Sequence, residues 1–182
     1  MNKRVLVPIA DGSEEIEAVT IIDVLRRSGA QVVVASVNGI QITASRNVKI
    51  VADCLIDACS DQTFDLIVLP GGMPGAENLK NNRVLKQMLE RHSGAGHLFG
   101  AICAAPAVVL ESHGLLHDRK ATCHPDHAGK IQGAVSPEPV VVDGNCITSQ
   151  GPGTAMAFAL SLVEQLFGRE KMAAVAAPMI IR

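Results

Sequence analysis

Residues 97–102, His-Leu-Phe-Gly-Ala-Ile, form a short apolar run that stops at Cys103. Ala104, Ala105, Pro106 and Ala107 follow, then Val108, Val109 and Leu110. The run has the length and content of a parallel strand buried on both faces. Proline fits the first turn of a helix, where its missing N–H is not needed. A strand that yields to a helix so abruptly forces a sharp turn, and Cys103 sits on it. Such a turn lifts a side chain out of the sheet, as in the nucleophile elbow of hydrolases. It also places the sulfur at a helix N-terminus, where free N–H groups and the macrodipole favour a thiolate. A thiol pKa of ~8.5 would fall there to about 3.5–7.5, which marks Cys103 as the fast-reacting thiol of the chain. A small buried core residue is the other common fate of a free cysteine.

The remaining pattern alternates strands with helices. Residues 4–9 read as a strand, Asp11-Gly12-Ser13 as a turn with Ser13 as N-cap, and Glu14 to about Ser28 as a helix ended by Gly29. Residues 31–37 read as a second strand, 40–51 as short strands or a hairpin, and 53–63 as a polar connection with some helical character. Asp65–Leu69 is a third buried strand, broken by the loop Pro70-Gly71-Gly72-Met73-Pro74-Gly75. A helix is expected over about 82–92, a short strand at 120–123, and a hairpin of 139–142 with 145–148. Helices over 154–167 and about 169–176 close the chain. This order implies an α/β sandwich with a mostly parallel sheet, built as one domain over residues 1–182. Ligands bind such sheets beyond the carboxyl ends of the strands. The turn before Glu14, the Gly71-Gly72 loop and Cys103 all fall there and should share one crevice.

Composition narrows the function. Of 182 residues, 48% are apolar but Trp and Tyr are absent, so Val, Ile, Leu, Ala and Met must build the core. A formal charge of −2 gives no reason to expect a nucleic-acid partner or a membrane surface. The first apolar run, Val5–Ile9, is too short for a signal segment, and nothing approaches a membrane span, so a cytoplasmic location is expected. Five cysteines at irregular spacing, without a C-x-x-C, suit neither a disulfide framework nor structural zinc. His124-x-x-His127 is a weak metal pattern, and no metal or cofactor is expected.

Glu14, Glu15 and Glu17 open the first helix. Complementing the helix dipole accounts for Glu15. Glu14 and Glu17 stand four residues before Ala18 and Ile21, so both extend the apolar stripe and should point inward. An inward carboxylate is costly unless hydrogen-bonded or protonated, and a proton donor beside a reactive sulfur would explain one. His124 precedes Pro125, which holds it extended and could aim its imidazole. His92, His113, His117 and His127 lie in polar surroundings and are expected to be solvated.

Taken together, Asp11-Gly-Ser-Glu-Glu-Ile-Glu17, Asp65-Leu-Ile-Val-Leu-Pro-Gly-Gly72, Ala101-Ile-Cys-Ala-Ala-Pro106, His124-Pro125 and Thr148-Ser-Gln-Gly-Pro-Gly-Thr154 resemble the DJ-1/ThiJ/PfpI family, in its DJ-1-like branch, over essentially the whole chain. The resemblance implies a flavodoxin-like three-layer sandwich and a homodimer. It implies Cys103 as the reactive cysteine, Glu17 as its partner carboxylate and His124 as the nearby histidine. It assigns Gly71, Gly72, Ala104 and Glu14 to oxyanion or substrate binding. It implies cofactor-free glyoxalase or deglycase activity on methylglyoxal, glyoxal or early glycation adducts, or alternatively a redox-sensing, chaperone-like role. Ala104 follows the cysteine where the peptidase-like branch carries histidine, which disfavours a peptidase. Two departures are Gln150, where some members carry arginine, and Ala105, where glycine is frequent. The residue that would orient His124 is not identifiable from sequence.

Overall fold

The computed structural model describes residues 3–181. Nine strands appear in chain order: β1 (Arg4–Ile9), β2 (Gln31–Ser36), β3 (Gln41–Thr43), β4 (Lys49–Val51), β5 (Cys54–Leu55), β6 (Leu66–Leu69), β7 (Leu98–Ile102), β8 (Val140–Asp143) and β9 (Cys146–Ser149). The helices are α1 (Glu15–Arg27), α2 (Gly75–Asn81), α3 (Arg83–Gly94), α4 (Ala155–Phe167) and α5 (Arg169–Ala176).

Seven strands form one sheet in the order β5-β2-β1-β6-β7-β9-β8, parallel except for β8. Numbered among themselves, the five central strands run 2-1-3-4-5, the flavodoxin-like order. Side chains alternate across the sheet, as a period of two requires. Val5, Val7, Ile9, Leu66 and Val68 face one core with Ile21, Leu25, Phe158 and Leu162 of α1 and α4. Leu6, Ile67, Leu69, Phe99 and Ala101 face the other, with Leu79, Leu85 and Leu89 of α2 and α3. The result is three layers with the sheet in the middle. Despite the scarcity of aromatics, Phe99 and Phe158 are the largest fully buried side chains.

The structure departs from the sequence reading in five elements. Within the stretch 53–63, read as a polar connection, Cys54–Leu55 forms edge strand β5 beside β2. Ser13 does not cap α1: its Oγ accepts from Ala10 N (3.0 Å), closing the turn, and Glu14 occupies the N-cap position. Helix α2 begins on a glycine and shows no apolar stripe long enough to read. Residues 120–123 make only an isolated bridge, Ala121 to Val135, instead of a strand. The helix after Cys103 is a π-type turn, Pro106–Leu110, running into a 3-10 turn, Glu111–His113. Such π segments are rare and concentrate at functional sites. Among the described residues no helix is long and apolar enough to cross a membrane.

Candidate active site

The topological switch lies between β1 and β6, where neighbouring crossovers diverge and leave a crevice. The loops after β1, β6 and β7 meet there. Gly71 O accepts from Glu14 N (3.0 Å), which fastens the second loop to the start of α1. Gly72 has φ +85°, and a Cβ on it would run into Gly12 O at 2.5 Å. A Cβ on Gly71 would lie 2.6 Å from Cys103 Cβ and 2.8 Å from Ile102 O. Only a glycine pair lets these loops touch.

Cys103 is the elbow the sequence predicts. Its φ is +65°, in the left-handed region that ordinary residues avoid at a cost of about 1–2 kcal/mol. Two backbone bonds fix it: Cys103 N donates to Ser149 O (3.0 Å), and Cys103 O accepts from His124 N (2.8 Å). The backbone N–H groups of Gly72 and Ala104 reach the sulfur.

Glu17 is fully buried and points inward, as its place on the stripe requires. Its Oε2 accepts from Gly71 N (2.8 Å). Its Oε1 is buried without an ordinary hydrogen-bond partner among the described residues, and its carboxyl lies against the Cys103 thiol. Burial pushes Glu17 up to about 7, against the Gly71 hydrogen bond that lowers it. Burial, then the negative Glu17, push Cys103 up to about 12, against the N–H groups of Gly72 and Ala104. The depressed thiol pKa expected from a helix N-terminus is therefore absent, because burial and the neighbouring Glu17 outweigh the N–H groups of Gly72 and Ala104. The two acids titrate as one unit. Between about 7 and about 12 they hold one charge and one proton.

Outside this pair lies an open cleft of about 270 Å³, lined by Glu14, Arg46, Met73, Cys103, His124 and His127 among others. Gly72 and Ala104 also line it. Gly71 does not: its N–H is engaged by Glu17, so its place is behind the cysteine and not among the cleft donors. Glu14 accepts from Ser45 Oγ (2.5 Å). Glu15 departs from the simple dipole reading: it is buried and accepts from Ser45 Oγ (2.9 Å) and Arg46 N (2.8 Å), tying the β3–β4 turn to α1.

His124 is brought to the cleft, and its Nδ1 accepts from Asp126 N (3.3 Å). An accepting Nδ1 leaves the neutral ring with its proton on Nε2, as a donor and not a base. The contact that holds the ring is therefore the Asp126 backbone N–H, while the exposed Asp126 carboxylate, 3.6 Å from Nδ1, makes no hydrogen bond to it. Three other histidines depart from the solvated reading, among them His113, which is half-buried with its Nε2 covered. His92 is buried with Nε2 2.6 Å from Leu98 O, and His127 is half-buried in the cleft wall. Ser45 and Arg46 carried no local signal, since only the tertiary fold delivers them here, whereas Met73 arrives with the glycine loop after β6. Among the described residues no three His, Cys, Asp or Glu side chains converge as a metal ion would require.

The family model described as the DJ-1/PfpI family matches residues 3–165. The chain belongs to the DJ-1/PfpI family. Its relatives place it in the DJ-1 branch. Protein DJ-1 homolog B of Arabidopsis thaliana is 52% identical over 170 residues, covering 92% of this chain and 39% of the homolog. The chain thus spans about two fifths of the length of that DJ-1 relative. The glutathione-independent glyoxalase DJR-1.2 of Caenorhabditis elegans is 38% identical, covering 97% of this chain and 95% of the relative. The oxidized DJ-1 of Toxoplasma gondii superposes with a TM-score of 0.96 at 46% identity, over 98% of each chain. The shared fold accounts for the sheet order.

Proposed function

We propose that this DJ-1 protein is a cofactor-independent glyoxalase that converts methylglyoxal or glyoxal to a 2-hydroxy acid, and that it acts as a deglycase on early glycation adducts. The supporting observation is Cys103 on its left-handed elbow with the Glu17 carboxyl against its sulfur. The C. elegans relative named a glutathione-independent glyoxalase supports the same reading. The Glu17 carboxylate takes the Cys103 proton as the sulfur adds to the aldehyde carbon, and passes that proton to the carbonyl oxygen. Glu17, now a carboxylate, removes the proton from that carbon and returns it to the neighbouring one through an enediol. The N–H groups of Gly72 and Ala104, with the Nε2–H of His124, stabilise the oxyanion. Water hydrolyses the resulting thioester, so one dicarbonyl and one water give one 2-hydroxy acid.

A free thiol suits a cytoplasmic setting. A second copy of this chain is the proposed partner: Ile16 and Val19 of α1 and Val48 and Val51 of the hairpin are exposed apolar residues beside the cleft. The second reading, Cys103 as an oxidation switch, is favoured by the T. gondii relative described as oxidized. Purified protein should form lactate from methylglyoxal without glutathione, and Cys103→Ala should reduce this to background. Unchanged turnover in Cys103→Ala would reject the reading.

A further inference from the structure

Away from the cleft, two thiols touch. Cys54 lies on β5, the edge strand of the sheet, and Cys59 ends the 3-10 turn Ile56–Cys59 that follows it. Their sulfurs are 3.5 Å apart, and both are free. They differ in access: Cys54 is half-buried, whereas Cys59 is fully buried against the core that holds Ile56 and Phe64. Cys123 and Cys146 are also buried.

We propose that Cys54 and Cys59 are a second redox site, a dithiol that a hydroperoxide converts to an intramolecular disulfide. A core contact between two thiols would serve packing with both sulfurs covered. Here one sulfur is open to small reagents and the other is held behind it. A disulfide needs an S–S distance of about 2.05 Å. Side-chain torsions and a small movement of the turn can supply the difference from 3.5 Å, because β5 is only two residues long and pairs with β2 alone.

The chemistry follows from that asymmetry. Cys54 sulfur, as thiolate, attacks the peroxide, the O–O bond breaks, and Cys54 becomes a sulfenic acid while water or an alcohol leaves. Cys59 sulfur then attacks the sulfenic sulfur. The S–O bond breaks, the oxygen leaves as water with the Cys59 proton, and the S–S bond forms. The dithiol loses two electrons and the peroxide gains them. Burial and the neighbouring Cys54 push Cys59 up to about 12, so it keeps its proton until the sulfenic acid forms beside it. The site is independent of Cys103 and of the glyoxalase reading.

The test uses the full-length wild-type protein, reduced and then treated with a slight molar excess of hydrogen peroxide. Remaining thiols are alkylated in denaturant, and the protein is cut before aspartate, which separates the two cysteines at Asp57. The expected product is a pair of peptides joined through Cys54 and Cys59, released by dithiothreitol. In Cys59→Ser the cross-link should vanish and Cys54 should be trapped as sulfenic acid by dimedone. In Cys54→Ser, Cys59 should stay fully alkylatable. Full alkylation of both cysteines in wild type, once Cys103 has been oxidised, would overturn the proposal. So would Cys54 sulfinic acid in wild type without a cross-link.

Discussion

Cys103 and Glu17 are each uncomfortable for a reason that serves the other. The cysteine occupies a backbone conformation that only its two clamping bonds sustain. The carboxyl is buried with one oxygen satisfied by Gly71 and the other without a partner among the described residues. Glu17 in the unfolded chain loses its proton near 4.5, whereas the folded protein keeps it to about 7. Over that interval the folded state binds the extra proton, so the stability linked to Glu17 is complete below 4.5 and lost as pH rises through about 7. The loss approaches about 3 kcal/mol. Glu17→Gln removes the titrating group, so in denaturant unfolding the stability of wild type relative to the variant should fall between about pH 4.5 and 7 and then level off. A constant difference would show that Glu17 ionises normally. The same variant should lose about 10²-fold or more in methylglyoxal turnover. Full turnover would remove Glu17 from the chemistry. Both residues were legible in the sequence, one from the strand-cysteine-proline break and the other from an acid on an apolar stripe. Glu15 was misread because its partners, Ser45 and Arg46, lie in a hairpin some thirty residues away.

At the scale of elements, the loop after β6 is the part that the chemistry depends on. Gly71 passes so close to Cys103 that a methyl group has nowhere to go. Gly71→Ala should therefore separate the loop from the elbow, at a stability cost of about 1–3 kcal/mol. It should also lengthen the bond from residue 71 N–H to Glu17. Turnover at saturating methylglyoxal should fall more steeply than the chain's affinity for it, because the shift acts on the reacting pair. An active Gly71→Ala variant with unaltered melting would contradict this packing. The strands other than the two-residue β5, and α1, α3, α4 and α5, could be read from apolar period and turn residues. Helix α2 could not, since it starts on Gly75 and is held by Leu79 against a core assembled from distant strands. The π turn was equally hidden, because proline announces a helix but not its pitch.

For the whole molecule, Val19 of α1 and Ile50 and Val51 of the hairpin line one groove, and Val19 and Val51 are exposed. Burying that groove against a second copy gives a two-fold interface in which each patch faces its equivalent. Sedimentation at micromolar concentration should report twice the chain mass, and Val51→Glu, at a position 65% exposed, should halve it. A wild-type chain sedimenting alone would dismiss the homodimer. If the pair forms, the hairpin carrying Ser45 and Arg46 joins the association surface to the cleft, so Val51→Glu should also change methylglyoxal kinetics. The sheet order was legible in outline from alternating strands and helices. Which surface would remain uncovered was not, because exposure of Ile16 and Val51 depends on how α1 and the hairpin lie together.

The left-handed backbone at Cys103 has a consequence for laboratory evolution. Glycine relaxes that conformation, and an uncharged side chain at position 17 relieves the buried acid. Heat selection of a random library, with no demand for turnover, should therefore enrich changes at these two positions, and survivors would be sturdier and chemically silent. Persistence of both residues through such selection would mean that their neighbours hold them more comfortably than the geometry implies.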